Sequence, residues 1–351
     1  MQSREGVFHM DYQRKLMISS SILGGLIVLF LIGSIIGAVG VAPEGKILFP
    51  EFKGGSVVSI KVTDKNGSLT VSKESDETWR IHYNENTFEP NQLTVGMLIK
   101  NLSDLRQTNE ITANPEAWSN FNVDETDAVR YVVTEADGTV SVDAYFGKRG
   151  PTSFSQYVRC AGSDTVLQTD YNIEQTAALK DWVELRLFPD TIKIEEVSEI
   201  SIQSRVAFFQ GDSGIDAKPN TIALTIIPTG DIVDEKPVWQ IKGYANIPLS
   251  YDKIVSYINM LNGFAGRDIV ADPQSADISP DDRPLGSVTI RLKNGAADTL
   301  FLLTAVPGDD QLYYVTNQNR KYVYVQEDWT IRNLIKGAEG FVDEAALLLQ
   351  P

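Results

Sequence analysis

The sequence predicts an α+β protein in which an N-terminal transmembrane helix is followed by two tandem antiparallel-sheet units, each with covering helices. Three observations carry that expectation. Residues 16–42 contain no charged side chain, the chain beyond residue 56 alternates apolar and polar positions between Asn-Gly and Asp-Gly turns, and landmarks of this alternation recur at one spacing.

Residues 1–15 read as a cytoplasmic tail, because Arg4, Arg14 and Lys15 precede the apolar run and basic residues stay on the cytoplasmic side. Leu16 to Ala42 is 27 residues. As a helix it would reach about 40 Å, enough to cross a hydrocarbon core of about 30 Å with some tilt. Ile22, Leu23, Leu26, Ile27, Leu29, Phe30, Ile32, Ile35 and Ile36 leave no polar stripe, unlike a buried soluble helix. A cleavable signal peptide is the competing reading, with Gly40 and Ala42 as small residues, but its apolar region would be only about 7 to 15 residues long. The sequence therefore places the chain in the cytoplasmic (inner) membrane as a single-pass protein with an extracytoplasmic C-terminal domain. Within the span, Gly33-x-x-x-Gly37 and Ser20-x-x-x-Gly24 have the small-residue spacing that lets helices approach closely, although glycine is frequent in such helices anyway.

The whole chain has 351 residues, with 47 acidic against 31 basic side chains and a net charge of −16. Residues 1–15 carry +1, so the exported part carries −17. That sign repels phosphate backbones and excludes nucleic acid as a principal partner. One cysteine and two histidines exclude an intrachain disulfide, a four-ligand Cys/His zinc site and a Cys-x-x-Cys redox pair. No phosphate-binding Gly-x-x-x-x-Gly-Lys-Ser/Thr motif occurs, and no cofactor is implied.

Residues 43–56, rich in glycine and proline, read as a stem. The first unit, 57–189, opens with strands at Ser56 to Val62, Ser68 to Ser72 and Trp79 to Tyr83. A helix begins after Pro90, its apolar positions being Leu93, Met97 or Leu98, Leu102 and Leu105. Strands at Val129 to Thr134, Thr139 to Phe146, Ser155 to Arg159 and Thr165 to Gln168 follow, and Glu174 to Leu187 reads as a second helix. The second unit, 190–336, repeats the order with strands near Glu199 to Gln203, Thr221 to Ile227 and Val238 to Lys242, a helix at Ser250 to Phe264, and four further strands; residues 337–351 are a tail. Asp137-Gly138 and Asn294-Gly295, Tyr157 and Tyr314, and Val166 and Val323 are each 157 residues apart. Trp79 and Trp239 are 160 apart, and Asp181-Trp182 and Asp328-Trp329 are 147 apart. One offset held by three landmarks points to an internal duplication, since a lone turn pair could arise in any antiparallel sheet.

Trp79-Arg80-Ile81, Pro90-Asn91-Gln92, Leu102-x-x-Leu105, Phe121-Asn122-Val123, Tyr145-Phe146-Gly147 and Tyr157-Val158-Arg159 carry a resemblance, continued by Trp239-Gln240-Ile241, Ile258-x-x-Leu261 and Tyr314-Val315. The chain resembles a repeated domain-of-unknown-function family of membrane-anchored exported bacterial proteins associated with gliding-motility-type ABC transport systems. The second copy departs from the pattern, with Thr304 after the hairpin and Pro280 to Pro284 in place of Phe-Asn-Val. The resemblance implies an accessory protein beside a transporter, with a membrane partner such as an ABC permease, and it supplies no catalytic residues.

The remaining candidates are weighed singly. His82 has no exported histidine or cysteine partner for a triad or a metal. Asp281-Asp282, Asp309-Asp310 and Glu195-Glu196 could serve as paired carboxylates of a glycan hydrolase, but their sequence setting suits solvated turns. Cys160 reads as a small half-buried side chain, with Arg159 pointing to the other strand face. Trp79, Trp239, Trp182 and Trp329 read as core anchors, and Trp118 as a partner contact or a side chain packed under its loop. The expectation is a non-enzymatic membrane-anchored scaffold, auxiliary to an ABC-type complex, with no catalytic, cofactor or metal residues. The alternatives are an envelope glycan hydrolase and an exported solute-binding module with its site near Pro189 to Ile194.

Overall fold

The computed structural model describes residues 45–348 except 76, 189–190, 206–221, 245, 275, 280–281 and 320. The proposed span at 16–42, and with it Ser20, Gly24, Gly33 and Gly37, lies outside the described residues. Among the described residues no helix is long and apolar enough to cross a membrane.

The molecule is mostly β, with two antiparallel sheets and few helices. The first sheet comprises β1 (Lys46–Ile47), β2 (Val57–Asp64), β3 (Gly67–Lys73), β4 (Trp79–Tyr83), β5 (Asn86–Phe88), β6 (Arg106–Thr112), β7 (Val129–Glu135), β8 (Val140–Arg149), β9 (Gln156–Cys160) and β10 (Val166–Thr169). Helix α1 (Gln92–Asp104) links β5 to β6. Its strand order is β1-β6-β10-β9-β8-β7-β2-β3-β4-β5. Eight strand spacings would separate β5 from β6 by about 38 Å in a flat sheet, while a helix of 13 residues covers about 20 Å. The sheet therefore curls around the helix, and Ile60, Ile81, Val133, Phe146 and Val158 on its inner face share one core with Val95, Leu98 and Leu102.

The second sheet comprises β11 (Val197–Ser204), β12 (Ile222–Val233), β13 (Lys236–Ile241), β14 (Asp268–Ile269), β15 (Gly286–Leu292), β16 (Ala297–Val306), β17 (Asp309–Asn317) and β18 (Tyr324–Glu327). Helix α2 (Tyr251–Asn262) lies between β13 and β14, and α3 (Asp328–Leu334) and α4 (Glu344–Leu348) follow β18. The order is β13-β12-β11-β15-β16-β17-β18-β14. Without its two outermost strands, the first sheet has the same order, β6 answering to β14 and β4 to β13. Register agrees as well. Ile60 lies opposite Val71 and Val133, and Ile200 lies opposite Ile226 and Ile290.

Both helices start alike. The Asn91 side chain caps α1 by accepting from the N–H groups of Leu93 and Thr94, and Ser250 caps α2 through the Lys253 N–H. The Asn91 N–H donates to the Trp182 carbonyl at 2.6 Å, as Ser250 N–H does to Phe341 at 2.8 Å. Phe341 is thus the counterpart of Trp182. Both are fully buried, whereas Trp329, expected in that place, is 60% exposed.

Three further expectations change. Glu174 to Leu187 holds only the short 3-10 turn Leu179–Asp181. Its backbone is engaged elsewhere, Val183 bridging to Pro90 and Arg186 to Ala265, so an i to i−4 ladder cannot form. On α1 the buried stripe is Val95, Leu98 and Leu102, which leaves Leu93 and Met97 in solvent. Residues 46–56 are not a free stem: β1 pairs with β6, and Phe49 and Phe52 enter the core.

That N-terminal arm is itself repeated. Leu48 N–H donates to Leu105 at 2.8 Å and Leu187 N–H to Phe264 at 3.0 Å, within the matching runs Leu48-Phe49-Pro50-Glu51 and Leu187-Phe188-Pro189-Asp190. The second arm is tied to α2, and other contacts join the sheets. Asn262 accepts from Ile192 N–H at 2.7 Å and donates to its carbonyl at 2.9 Å. Phe88 packs on Tyr322, and Lys321 pairs with Glu89 at 2.6 Å.

Candidate functional site

The outer face of the first sheet is covered by residues 113–124, which include the 3-10 turn Pro115–Phe121. Gly147 makes that cover fit, because a β-carbon there would collide with the Phe121 carbonyl. Beneath it lies Arg159, 4% exposed. Its guanidinium stacks between Trp118 at 3.7 Å and Tyr145 at 4.2 Å, and its Nε donates to the Val123 carbonyl at 3.1 Å. Its Nη2 is buried without a hydrogen-bond partner. A guanidinium pays for burial here by cation–π contact rather than by a carboxylate. Trp118 is half-buried and donates to the Asp164 carbonyl at 3.0 Å, so the structure shows it as the lid of this stack. Arg159 escaped the sequence reading because nothing local marks a charged residue as buried.

A second feature flanks the second arm. Thr191, Ile192, Ile290, Leu292, Ala296, Ala297, Asp298 and Asn317 line a groove of about 250 Å³. Asn317 is 8% exposed, and its Oδ1 has no hydrogen-bond partner. An apolar groove with one unsatisfied amide oxygen can take a small molecule or water that donates a hydrogen bond.

Shallower grooves run beside both helices. Met97, Asn101, Phe154 and Tyr171 border one of about 500 Å³ along α1, and Met260, Trp329 and Lys336 border one of about 470 Å³ along α2.

The other candidates are not brought together. His82 is exposed on β4, 3.1 Å from Ser72 Oγ. Glu195 and Glu196 are exposed within the 3-10 turn Ile194–Glu196, Asp309 and Asp310 begin β17 in solvent, and Asp281 lies outside the described residues. Cys160 is half-buried, and burial pushes its thiol pKa up. Among carboxylates, the Lys53 backbone N–H and the Ser56 hydroxyl hold Glu135 below its usual range. The Thr139 backbone N–H does the same for Asp137. Burial would raise Glu184, but hydrogen bonds from the Arg186 side chain and backbone outweigh it and leave the pKa lowered. Among the described residues no group of three His, Cys, Asp or Glu side chains could hold a metal ion.

These features define a mostly β protein of two like sheets with surface grooves of mixed polarity and a covered guanidinium. Residues 79–228 match the family profile described as Domain of unknown function (DUF4340), a stretch that begins at β4 and ends within β12, crossing from one sheet to the other. Neither a curated protein nor a solved structure matches the chain.

Proposed function

We propose that the chain is a single-pass, extracytoplasmic, non-enzymatic scaffold that acts by binding, as an auxiliary component of an ABC-type transport complex. The observation that carries the reading is the uncharged run of 27 residues placed directly before a folded, acidic body. Among the described residues the paired carboxylates Glu195-Glu196 and Asp309-Asp310 sit in solvent and the displaced carboxylates, Glu135, Asp137 and Glu184, are lowered, which supports binding over glycan hydrolysis with its protonated acid at neutral pH. The matching strand orders support one unit used twice, with boundaries near 46–184 and 185–343. The ABC partner comes from the family resemblance. Affinity capture of the full chain in mild detergent should recover an ATPase and a multi-span permease; repeated capture without either counts against this role.

A second reading, an exported solute-binding module, is supported by the groove beside Ile192 with its unpartnered Asn317 oxygen. It predicts that some small polar solute raises the Tm of the wild-type chain and fails to raise that of Asn317→Leu. Equal shifts in both would dismiss the groove as the site.

A further inference from the structure

We propose that the first unit seats on the bilayer beside its own anchor, through an apolar face made by Leu93, Met97, Phe154 and Tyr171. This rests on the reading of residues 16–42 as a membrane span. The length of the tether carries the first step. Ala42 is the last residue of the proposed span, Pro43 and Glu44 follow it, and Gly45 already belongs to the fold. Its φ of +99° and its contact with the Gln107 carbonyl leave no room for a β-carbon. Arg106 Nη1 donates to its carbonyl at 3.2 Å, and the next residue, Lys46, pairs with Gln107. Three residues of extended chain reach at most about 11 Å, little more than the polar layer on one side of a bilayer, about 5 to 8 Å. With the span tilted so that all of it lies within the bilayer, the surface around Gly45 is therefore held against the headgroups.

Arg106 also shows which surface that is. Its N–H donates to Asp170 Oδ1 at 2.9 Å and its carbonyl accepts from Asp170 N–H at 3.1 Å. Tyr171 follows directly, and it borders the α1 groove together with Met97 and Phe154. Leu93 stands one turn before Met97 on the same helix face. Exposure is 76% at Leu93, 58% at Met97, 71% at Phe154 and 40% at Tyr171. A single exposed apolar residue needs no explanation, but three bordering one groove with a fourth, Leu93, one turn away on the same helix do, even with polar side chains between them. Leucine, methionine and phenylalanine with a tyrosine suit the boundary between headgroups and acyl chains. The −17 of the exported part opposes attraction to anionic lipid, so apolar burial drives the seating, with Lys46 and Arg106 as the cations beside Gly45 and Arg149 already paired with Glu174.

The test uses the full chain in vesicles of phosphatidylethanolamine with a minority of phosphatidylglycerol. In a Cys160→Ser background, an environment-sensitive fluorophore is attached at Phe154→Cys, at Met97→Cys, or at Ile232→Cys on the β12–β13 hairpin of the second unit, which is 72% exposed. Lipid-borne nitroxide should quench positions 154 and 97 several-fold more than position 232. The same vesicles are extracted with alkaline carbonate. A chain that stays in the vesicles while all three probes quench equally overturns the seating alone. A chain released by carbonate overturns the span as well.

Discussion

Arg159 concentrates the physics of the first unit in one side chain. It holds the cover segment by stacking under Trp118 and bonding the Val123 carbonyl, and its own burial depends on those contacts. Arg159→Ala should cost about 2 to 4 kcal/mol, from a desolvated cation–π pair plus a buried hydrogen bond left unmade. Arg159→Lys should recover little, since an ammonium lacks the planar face that fits between two rings. Urea unfolding of the three proteins measures this, and a loss within about 0.5 kcal/mol for Arg159→Ala would refute the assigned role. Trp118 was legible as something unusual because an aromatic in a polar loop needs a partner. Arg159 was not, because alternation along β9 states which face a residue takes but not that another segment covers that face.

At the level of elements, the strands were legible and two helical readings were not. Alternation bounded by Asp137-Gly138 and Asn294-Gly295 marks hairpins by local chemistry alone. The Leu179, Val183 and Leu187 spacing imitates a helix, yet the backbone there bonds to neighbours on both units. The face of α1 was ambiguous because Leu93 and Met97 extend the apolar stripe into solvent. The closing element of each unit was misassigned for a similar reason, as Asp-Trp recurs at 181–182 and 328–329 by composition alone. Phe341, fully buried and edge-on to Tyr257 at 5.0 Å, occupies the place of Trp182. Phe341→Ala should therefore cost about 3 to 5 kcal/mol, as for other buried aromatics, while Trp329→Ala should change stability by less than about 0.5 kcal/mol. Comparable losses at the two positions would reinstate Trp329 as the counterpart.

For the whole molecule, the duplication was legible from the offset of 157, but its starting point was not. The Leu-Phe-Pro-acidic arm recurs at a spacing of 139 and Ile60 and Ile200 at 140, while Val71 and Ile226 are already 155 apart, so extra residues between β11 and β12 hide the arm from a search at one offset. Folded in, that arm brings the body to within three residues of the apolar run, which on the proposed span would seat the domain at its anchor. All of this places an exported body on a single proposed span. Labelling an Ile232→Cys, Cys160→Ser chain with a membrane-impermeant thiol reagent tests it most directly. An exported body labels fully in intact spheroplasts, unchanged after lysis; labelling that appears only after lysis would place it in the cytoplasm and overturn the proposed topology.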